Sequence, residues 1–559
     1  MISLLLCIAT AVASDTAGLE AAVEAEIARS IQELKLPDQE GPYHISVDIL
    51  EGEYSMTEAE LGVEIIHETR PHRTARVDVR VGDSQLDSSN FNGSFGTTDG
   101  LNLRGLAHEN VDVAIRRELW LAIDTAYKGA TETFAAKKAA REGQDTDRPP
   151  DLAKAPVIHL PAMPARKPDE AKMRALTNQL SASVKDHAHL DNSGVLSQDW
   201  HGRRLHINSE GTRAWIPTGR TVVRAEVIAR AEDGARLRNT RTWVAQNPTA
   251  LPTQEILGDE LQQASTWLKQ LQTAPIQKEY LGPVLFEGQA ATELFRQLLH
   301  QEISGTPPEE MAPDPLLGDS APIPWARIGR RLLPRGWTVV DNPTSDPNAA
   351  GYYTHDFDGV EAKRVEVVTD GVLKDVIMSR IPRAKRFEST GHGRSMGADR
   401  RVAMPAQVTV TPHRGKSTKA LRRKAIQYAR EADLPYVLVV RRMTPPAISE
   451  DFQFAIPGGA PLAGLTSPTE VYRLYPDGRE EPVRGLRFVG VDRRVLRDIM
   501  ASGKASPPRN LLDSPNASGR FTLGHLSGLP VMWAAPEVVI GELELHGTGG
   551  GEHRVIPKP

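Results

Sequence analysis

Apolar and polar residues alternate along the first strongly patterned region of the chain, residues 43–81. A period of two is typical of β-strands with one buried and one solvated face. The alternating apolar positions are Ile45, Val47, Ile49, Leu61, Val63, Ile65, Ala75, Val77, Val79 and Val81, and the last four enclose Arg76, Asp78 and Arg80. We therefore predict an antiparallel sheet with one wet face.

Helical periodicity replaces this alternation in four segments of the first half: residues 21–34, 109–141, 168–185 and 264–271. The longest has apolar residues in helical register at Val111, Ile115, Leu119, Ala122 and Ala126. Residues 143–167 are rich in Pro, Asp and Arg and predict a surface linker. Further strands are predicted at 205–208 and 222–231.

Strand patterns dominate beyond residue 336. Asp370-Gly371 and Asp477-Gly478 each lie between apolar runs, which is a strong hairpin signal. Helices are predicted at 419–432 and 495–501, and residues 547–559 form a flexible tail. The fold class is therefore α+β, with an N-terminal domain at 20–272 and a β-rich C-terminal domain at 275–546.

A segment between these halves carries the candidate chemistry. Residues 282–286 read as a buried strand, and residues 290–301 form a helix with a continuous apolar stripe. That stripe comprises Ala291, Leu294, Phe295, Leu298 and Leu299. The opposite face carries Glu293, Arg296, Gln297, His300 and Gln301. A hydrolytic zinc site would need imidazole ligands and a carboxylate base on such a face, which this set does not supply.

Length and charge narrow the classes of function. A chain of 559 residues exceeds the size of a single core, so two large domains are expected. The formal net charge is only −5, so no overall basic field attracts nucleic acid. No later segment reaches the apolar length of a membrane span.

The N-terminus has the features of a secretory signal. Apolar residues precede Ala11-Val12-Ala13, a small-x-small cleavage pattern, so we predict a signal peptide at 1–13 and export to the periplasm or exterior. The segment is short and has no basic residue before its apolar part, so a mis-assigned start or a buried terminal helix would also explain it. In that case the protein is cytoplasmic. Cys7, the only cysteine, would leave with the signal.

Three short motifs suggest other chemistry but lack its context. His67 to His72 spells HExxxH, yet Pro71 would break a helix, so we place both histidines at a hairpin turn. Gly393 to Gly397 matches GxSxG without the strand and helix of a nucleophile elbow. The acids and histidines of residues 186–191 are interpreted as a polar helix end rather than a metal site. The glycines at 391, 393 and 397 also lack the setting of a dinucleotide site.

Several fragments, each weak alone, together resemble the TldD/PmbA family, also called modulator of DNA gyrase or peptidase U62. They are residues 42–46, 79–83 with 86–91, 115–120 with 124–128, 208–212, 357–360, 370–373, 389–394, and 472–479 with 483–485. The resemblance covers nearly all of the chain after the signal. It implies a two-domain plan, an N-terminal α/β domain and a β-rich C-terminal domain, paired as dimers around an internal cleft.

The resemblance also implies where catalysis would occur. Catalytic family members carry HExxxH on the helix corresponding to residues 290–301, and a cysteine of the C-terminal domain completes their zinc site. The two histidines fall here at Arg296 and Gln301 and the glutamate at Gln297. A fixed positive charge repels a metal ion. We therefore expect no zinc and no catalytic residue on this helix.

The resemblance then implies a TldE/PmbA-like, zinc-free subunit that binds peptides and supports proteolysis, as a homodimer or beside a TldD-like chain with an intact HExxxH. The cleft candidates are Asp358, Gly359, Thr390, Gly391, His392, Gly393 and Arg394, which would equally suit plain hairpin turns. One alternative is an active metallopeptidase with other ligands, such as His300 with Glu302 or His392. A second alternative is a non-catalytic structural protein of the envelope.

Overall fold

The computed structural model describes residues 2–92, 100–142, 148–163, 167–311, 328–397, 399–446, 464–513 and 528–547. Within them the chain forms two successive halves, each with its own sheets and buried apolar clusters. The predicted α+β architecture, an antiparallel sheet with long helices followed by a β-rich half, is confirmed.

The first half is built on one seven-stranded sheet. The strands of this half of the chain are β1 (Pro42–Glu60), β2 (Val63–Val81), β3 (Phe91–Asn92), β4 (Leu101–Gly105), β5 (His159–Leu160), β6 (Leu190–Asn208), β7 (Arg213–Arg230) and β8 (Arg236–Ala245). Its helices are α1 (Ile2–Glu33), α2 (Asp112–Arg141), α3 (Glu170–Ala182) and α4 (Gln254–Leu271). The strand order is β4-β2-β1-β6-β7-β5, with β8 also paired to β7 and β3 outside the sheet. Helices cover the apolar residues of its long strands, α1 and α2 over β1 and β2, and α3 and α4 over β6 to β8.

The polar face of this sheet lies against the second half of the chain. His44, Ser46, Asp48, Arg76 and Asp78 occupy the positions predicted to be wet, yet all five are buried. Asp48 tolerates burial because Arg401 of the second half pairs with it, as a buried charge requires. The antiparallel sheet is thus confirmed, and the prediction of a wet face is wrong at these positions.

The second half contains two larger sheets with α5 between them. Its strands are β9 (Glu279–Phe286), β10 (Glu310–Met311), β11 (Thr338–Asp341), β12 (Val365–Thr369), β13 (Val372–Leu373), β14 (Gly393–Arg394), β15 (Val402–Ala403), β16 (Gln407–Thr411), β17 (Val437–Met443), β18 (Pro468–Leu474), β19 (Glu480–Val483), β20 (Leu486–Val489), β21 (Ile499–Ser502), β22 (Arg509–Asp513), β23 (Leu529–Ala534) and β24 (Val538–Gly547), and its helices are α5 (Gly288–Ile303) and α6 (Thr418–Glu431). One sheet has the order β13-β12-β11-β16-β23-β22, and the other has β19-β18-β17-β9-β24-β20 with β21 beside β24. Side chains of α5 share one cluster with Val339 of the first sheet and Val440 of the second. The apolar side of α6 packs outside the second sheet.

Most local predictions agree with these elements, and two helices begin earlier than predicted. The helices near 109–141, 168–185 and 419–432 and both Asp-Gly hairpins are confirmed. Helix α1 begins at Ile2 rather than at residue 21. Helix α4 begins at Gln254, because Leu257 and Leu261 extend the apolar stripe and Thr253 caps the first turn.

Two other local predictions are wrong. The helix predicted at 495–501 is a 3-10 helix, Arg493–Asp498, followed by β21, whose residues pair with β24. The prediction that the linker lies on the surface is wrong for residues 151–153, which are buried. Asp151 accepts a 2.7 Å hydrogen bond from Lys137 Nζ. Residues 143–147 and 164–166 of that linker, and 548–559 of the tail, lie outside the described residues. No helix in the described ranges is long and apolar enough to cross a membrane.

Candidate functional site

The candidate site lies on α5, which follows directly from the buried strand β9. The predicted stripe of Ala291, Leu294, Phe295, Leu298 and Leu299 is buried in the core of the second half. The opposite face is also largely covered, because α5 lies between two sheets. Its charged side chains must therefore find partners inside the protein.

Arg296 is the centre of a buried group of charged side chains. Its Nη2 donates to Glu293 Oε2 at 2.6 Å, and its Nη1 donates to Asp513 Oδ1 at 2.8 Å. His300 Nδ1 lies 2.7 Å from the other carboxylate oxygen of Asp513. We call Glu293, Arg296, His300 and Asp513 the guanidinium cluster. Its positive centre is a side chain that is only 4% exposed.

Electrostatics favour the charged form of this arginine. Burial lowers the pKa of Arg296, but the carboxylates of Glu293 and Asp513 outweigh that effect and raise it above its usual value. One oxygen of Glu293, Oε1, is buried without a hydrogen-bond partner among the described atoms. Removal of the guanidinium would therefore leave Glu293 poorly compensated.

The two glutamines at the remaining motif positions differ in their surroundings. Gln297 Nε2 donates to Glu293 Oε2 at 3.0 Å and to Thr466 Oγ1 at 2.9 Å, while its Oε1 accepts from Thr466 N. Gln301 is exposed at the end of the helix. The amide of Gln297 is thus hydrogen-bonded to Thr466, and its oxygen accepts from the backbone N–H of that residue.

These side chains do not fit a zinc ion. Zinc is held by imidazole, thiolate or carboxylate ligands, and a guanidinium has no lone pair to donate. Arg296 already places a positive charge between the two carboxylates that could otherwise serve. In the part of the chain that the structure describes, no three His, Cys, Asp or Glu side chains form a group that could hold a metal ion.

The alternative ligands are occupied in other ways. His300 faces Asp513, and Glu302 pairs with Arg493. His392 is fully buried, with its Nδ1 2.9 Å from Thr390 Oγ1 and its Nε2 3.7 Å from Asp341. The structure therefore does not bring His300, Glu302 and His392 together as a ligand set.

The predicted cleft residues come together in the second half, but most of them are buried. Gly393 O accepts a 2.9 Å hydrogen bond from Phe357 N, and Gly393 N donates to Asp356 Oδ2 at 2.8 Å. Thr390 Oγ1 accepts from Met378 N at 2.7 Å. Gly359, Gly391, His392, Gly393 and Arg394 are buried, and Asp358 and Thr390 are partly exposed. Their role as a peptide-contacting surface stays a prediction.

Asp358 also belongs to a network that joins the two halves, which we call the interdomain charge network. Arg401 donates to both Asp358 and Asp48, and His206 Nδ1 lies 3.1 Å from Asp48 Oδ1. Arg204 stacks on the ring of Phe357 at 4.0 Å. Asp358 was predicted as a cleft residue, but nothing in the local sequence links it to Asp48, 310 positions earlier.

This network perturbs the titration of a neighbouring carboxyl group. Burial, followed by the charge of Asp358, raises the pKa of Asp356 to about 7. Burial also opposes ionisation of Asp358, but Arg401 and other cations outweigh it and lower its pKa to about 2. Between these two pKa values Asp356 is mainly protonated and Asp358 is ionised.

The HExxxH of residues 67–72 lies within a continuous strand and not at a turn. His67 and His72 belong to β2, and the hairpin turn is at Leu61 and Gly62. Pro71 is tolerated because β4 pairs only with residues 74–78, so β2 is an edge strand there. His67 binds Glu170, and His72 lines a groove of about 250 Å³ with Arg73 and Arg203 among its walls. The prediction of a turn is wrong.

The other two motifs have structural partners. Both His187 and His189 contact Ser265 on α4, as expected for a polar helix end. Ser395 follows the two-residue strand β14 and is buried, and the described residues directly after it, 396 and 397, are not helical. Neither arrangement provides a nucleophile or a metal site.

Comparison with known proteins agrees with the architecture. Residues 278–460 match the family model of the PmbA/TldA metallopeptidase C-terminal domain. A metalloprotease of Methanocaldococcus jannaschii is 30% identical over 87 residues, which are 15% of this chain and 19% of that protein. A metalloprotease of Methanothermobacter thermautotrophicus is 32% identical over 98 residues, 17% and 21% of the two chains. The match thus spans about a fifth of each relative.

Solved structures show the same fold across almost the whole chain. A putative modulator of DNA gyrase from Thermotoga maritima superimposes with a TM-score of 0.58 at 13% identity, over 94% of this chain and 100% of that one. TldE from Thermococcus kodakarensis gives a TM-score of 0.58 at 12% identity with the same coverage. Residues 278–460 are thus similar to the PmbA/TldA metallopeptidase C-terminal domain, and the chain shares the fold of these two structures.

Proposed function

We propose that this protein is a zinc-free member of the TldD/PmbA family that binds peptides and supports proteolysis carried out by a partner chain. The observation that carries the proposal is the guanidinium cluster. At the helix positions where the resemblance places metal ligands, Arg296 supplies a fixed positive charge to Glu293 and Asp513. The guanidinium would repel a metal cation at this place, and the neighbouring side chains offer too few lone pairs to bind it.

The proposed partner is a TldD-like chain with an intact HExxxH, and a homodimer is the simpler alternative. The structural likeness to TldE supports this fold for a subunit without that motif. In such a pair, Asp358 and residues 390–394 would shape the wall of the peptide cleft from behind, since most of them are buried. We further propose that residues 1–13 direct export and are removed.

The experiment is an activity assay of the chain alone and together with a co-expressed homologous chain that carries HExxxH. We expect unfolded casein to be cleaved by the pair and not by this chain alone. A pair whose partner has its HExxxH glutamate changed to glutamine is the matched control and should be inactive. Cleavage by this chain alone would overturn the proposal, and failure of the two chains to co-purify would reject the partner assignment.

Binding separates this proposal from a structural role in the envelope. We expect a fluorescent unfolded peptide to bind the zinc-free chain, with saturation, in the presence of a chelator. If no peptide binds either the chain or the pair, the purely structural alternative is favoured.

A further inference from the structure

A cluster of basic side chains covers the outer surface at the start of α6. Its members, Arg414, Lys416, Lys419, Arg423 and Lys504, are all exposed. Lys419 and Arg423 lie on α6, and the other three lie on two loops. These loops are hydrogen-bonded to each other, since Lys504 N donates to Lys416 O at 3.1 Å and Lys416 N donates to Ser502 O at 2.9 Å. We call these five residues the α6 basic patch.

The orientation of α6 directs this patch away from the protein. Leu421, Ala425 and Ala429 bury the apolar side of the helix against the second sheet. Lys419 and Arg423 are one turn apart on the opposite side, so their side chains are neighbours. Arg430 continues the same side about two turns further on and is also exposed.

The charges of the patch are not neutralised within the described residues. None of its five members has a carboxylate within 4 Å there, whereas the adjacent Arg422 pairs with Glu287 at 2.6 Å. Glu537 is the acid beside the start of the helix, where it accepts a 3.4 Å hydrogen bond from Thr418 Oγ1. The field of the patch therefore extends into solvent, to about 8 Å at physiological salt.

Helix stability does not account for these charges. The positive end of the helix dipole favours acids in the first turn, and α2, α3 and α4 have Asp112, Glu170 and Glu255 there, whereas α5 has none. Helix α6 has no acid in its first turn and carries Lys419 instead. Like charges one turn apart, as at Lys419 and Arg423, also repel. An external anion would compensate both effects.

We propose that the α6 basic patch docks the protein on the surface of an anionic lipid bilayer. All five cations of the patch are exposed, two on α6 and three on the loops beside its start. Tyr428 is the aromatic residue of α6, and it is half-buried beneath Lys424 with its hydroxyl donating to Met500 O, so it offers no free face for stacking on bases. A bilayer surface requires only unpaired cations on one side of the protein, and binding strengthens with each of them.

The test is flotation of the full-length protein with vesicles of phosphatidylcholine, with or without phosphatidylglycerol. We expect binding only to the vesicles that contain phosphatidylglycerol, and its loss at high salt. Because one basic side chain strengthens such binding about five-fold, Lys419→Glu with Arg423→Glu should weaken it at least about 25-fold. The control is Lys35→Glu with Lys185→Glu, which reverses two exposed lysines of the first half and should bind as the wild type does.

A loss of vesicle binding by the Lys419→Glu, Arg423→Glu variant must not come from unfolding. The Lys419→Glu, Arg423→Glu protein should melt no lower than the wild type, because a glutamate at 419 suits the first turn of α6 and the like-charge repulsion between 419 and 423 is the same in both proteins. Equal binding to vesicles of both compositions, or equal loss in the control variant, would overturn the proposal. So would tighter binding of a single-stranded oligonucleotide than of anionic vesicles, since the patch would then be assigned to nucleic acid.

Discussion

The substitution Arg296→Met tests the guanidinium cluster. Methionine fills similar space but removes three charged hydrogen bonds, two to Glu293 and one to Asp513. Breaking a buried ion pair from one side typically destabilises a protein by about 3–5 kcal/mol. Asp513 keeps His300 and Glu293 keeps the amide of Gln297, so we expect the lower end, about 3 kcal/mol.

The assay is thermal and urea unfolding followed by circular dichroism. A loss of about 3 kcal/mol corresponds to a fall of roughly 6–12 °C in the melting temperature of the C-terminal half. Adding Glu293→Gln to Arg296→Met removes the uncompensated carboxylate charge of Glu293 and should restore at least about half of the lost stability. Gln301→Met, at an exposed position of the same helix, is the control and should change stability by less than about 0.5 kcal/mol.

Two results would refute this reasoning. If Arg296→Met is as stable as the wild type, the cluster does not depend on a fixed cation. If Glu293→Gln fails to rescue Arg296→Met, the damage comes from lost packing rather than from an uncompensated carboxylate. In either case Arg296 would no longer be a sufficient reason to expect the absence of zinc.

Two further predictions concern the other parts of the site. In the folded protein the carboxyl group of Asp356 keeps its proton up to its pKa of about 7, whereas in the unfolded chain it loses the proton near pH 4. Asp356 therefore stabilises the folded state at low pH, and this contribution is lost as the pH rises through 7. Urea midpoints should therefore show the wild type losing stability relative to Asp356→Asn between about pH 4 and pH 7, and parallel curves would contradict the assignment. Gly391→Ala should destabilise strongly, because φ is +71° and a Cβ would lie 2.2 Å from Glu361 O, whereas Gly397→Ala, with φ +50° and open space, should cost only about 1 kcal/mol. Equal melting temperatures for the two glycine variants would show that Gly391 is not held as tightly as its neighbours indicate.

The sequence predicted those features that depend on local periodicity. Alternation identified β1 and β2, Asp-Gly pairs identified two hairpins, and the stripe from Ala291 to Leu299 identified the buried side of α5. The burial of polar positions was less predictable. A period of two shows that a strand has a polar face, but not whether another part of the chain covers that face. Asp48 and Arg76 were expected in water, and the second half buries them.

Partners distant in sequence account for the remaining differences. Arg296 was known to occupy a motif position, but its partner Asp513 lies 217 residues away and belongs to no motif. The same holds for Arg401, which bridges Asp48 and Asp358. Residues 499–501 were predicted to be helical because the local pattern cannot show that β24 offers them a strand partner.

The most direct test of the central claim is the metal content of the purified full-length protein, measured by mass spectrometry after growth in zinc-supplemented medium. Because a buried guanidinium occupies the place of a cation between Glu293 and Asp513, we expect zinc well below one ion per chain and no peptide cleavage that responds to chelators. Stoichiometric zinc, together with cleavage that a chelator abolishes and added zinc restores, would contradict the claim.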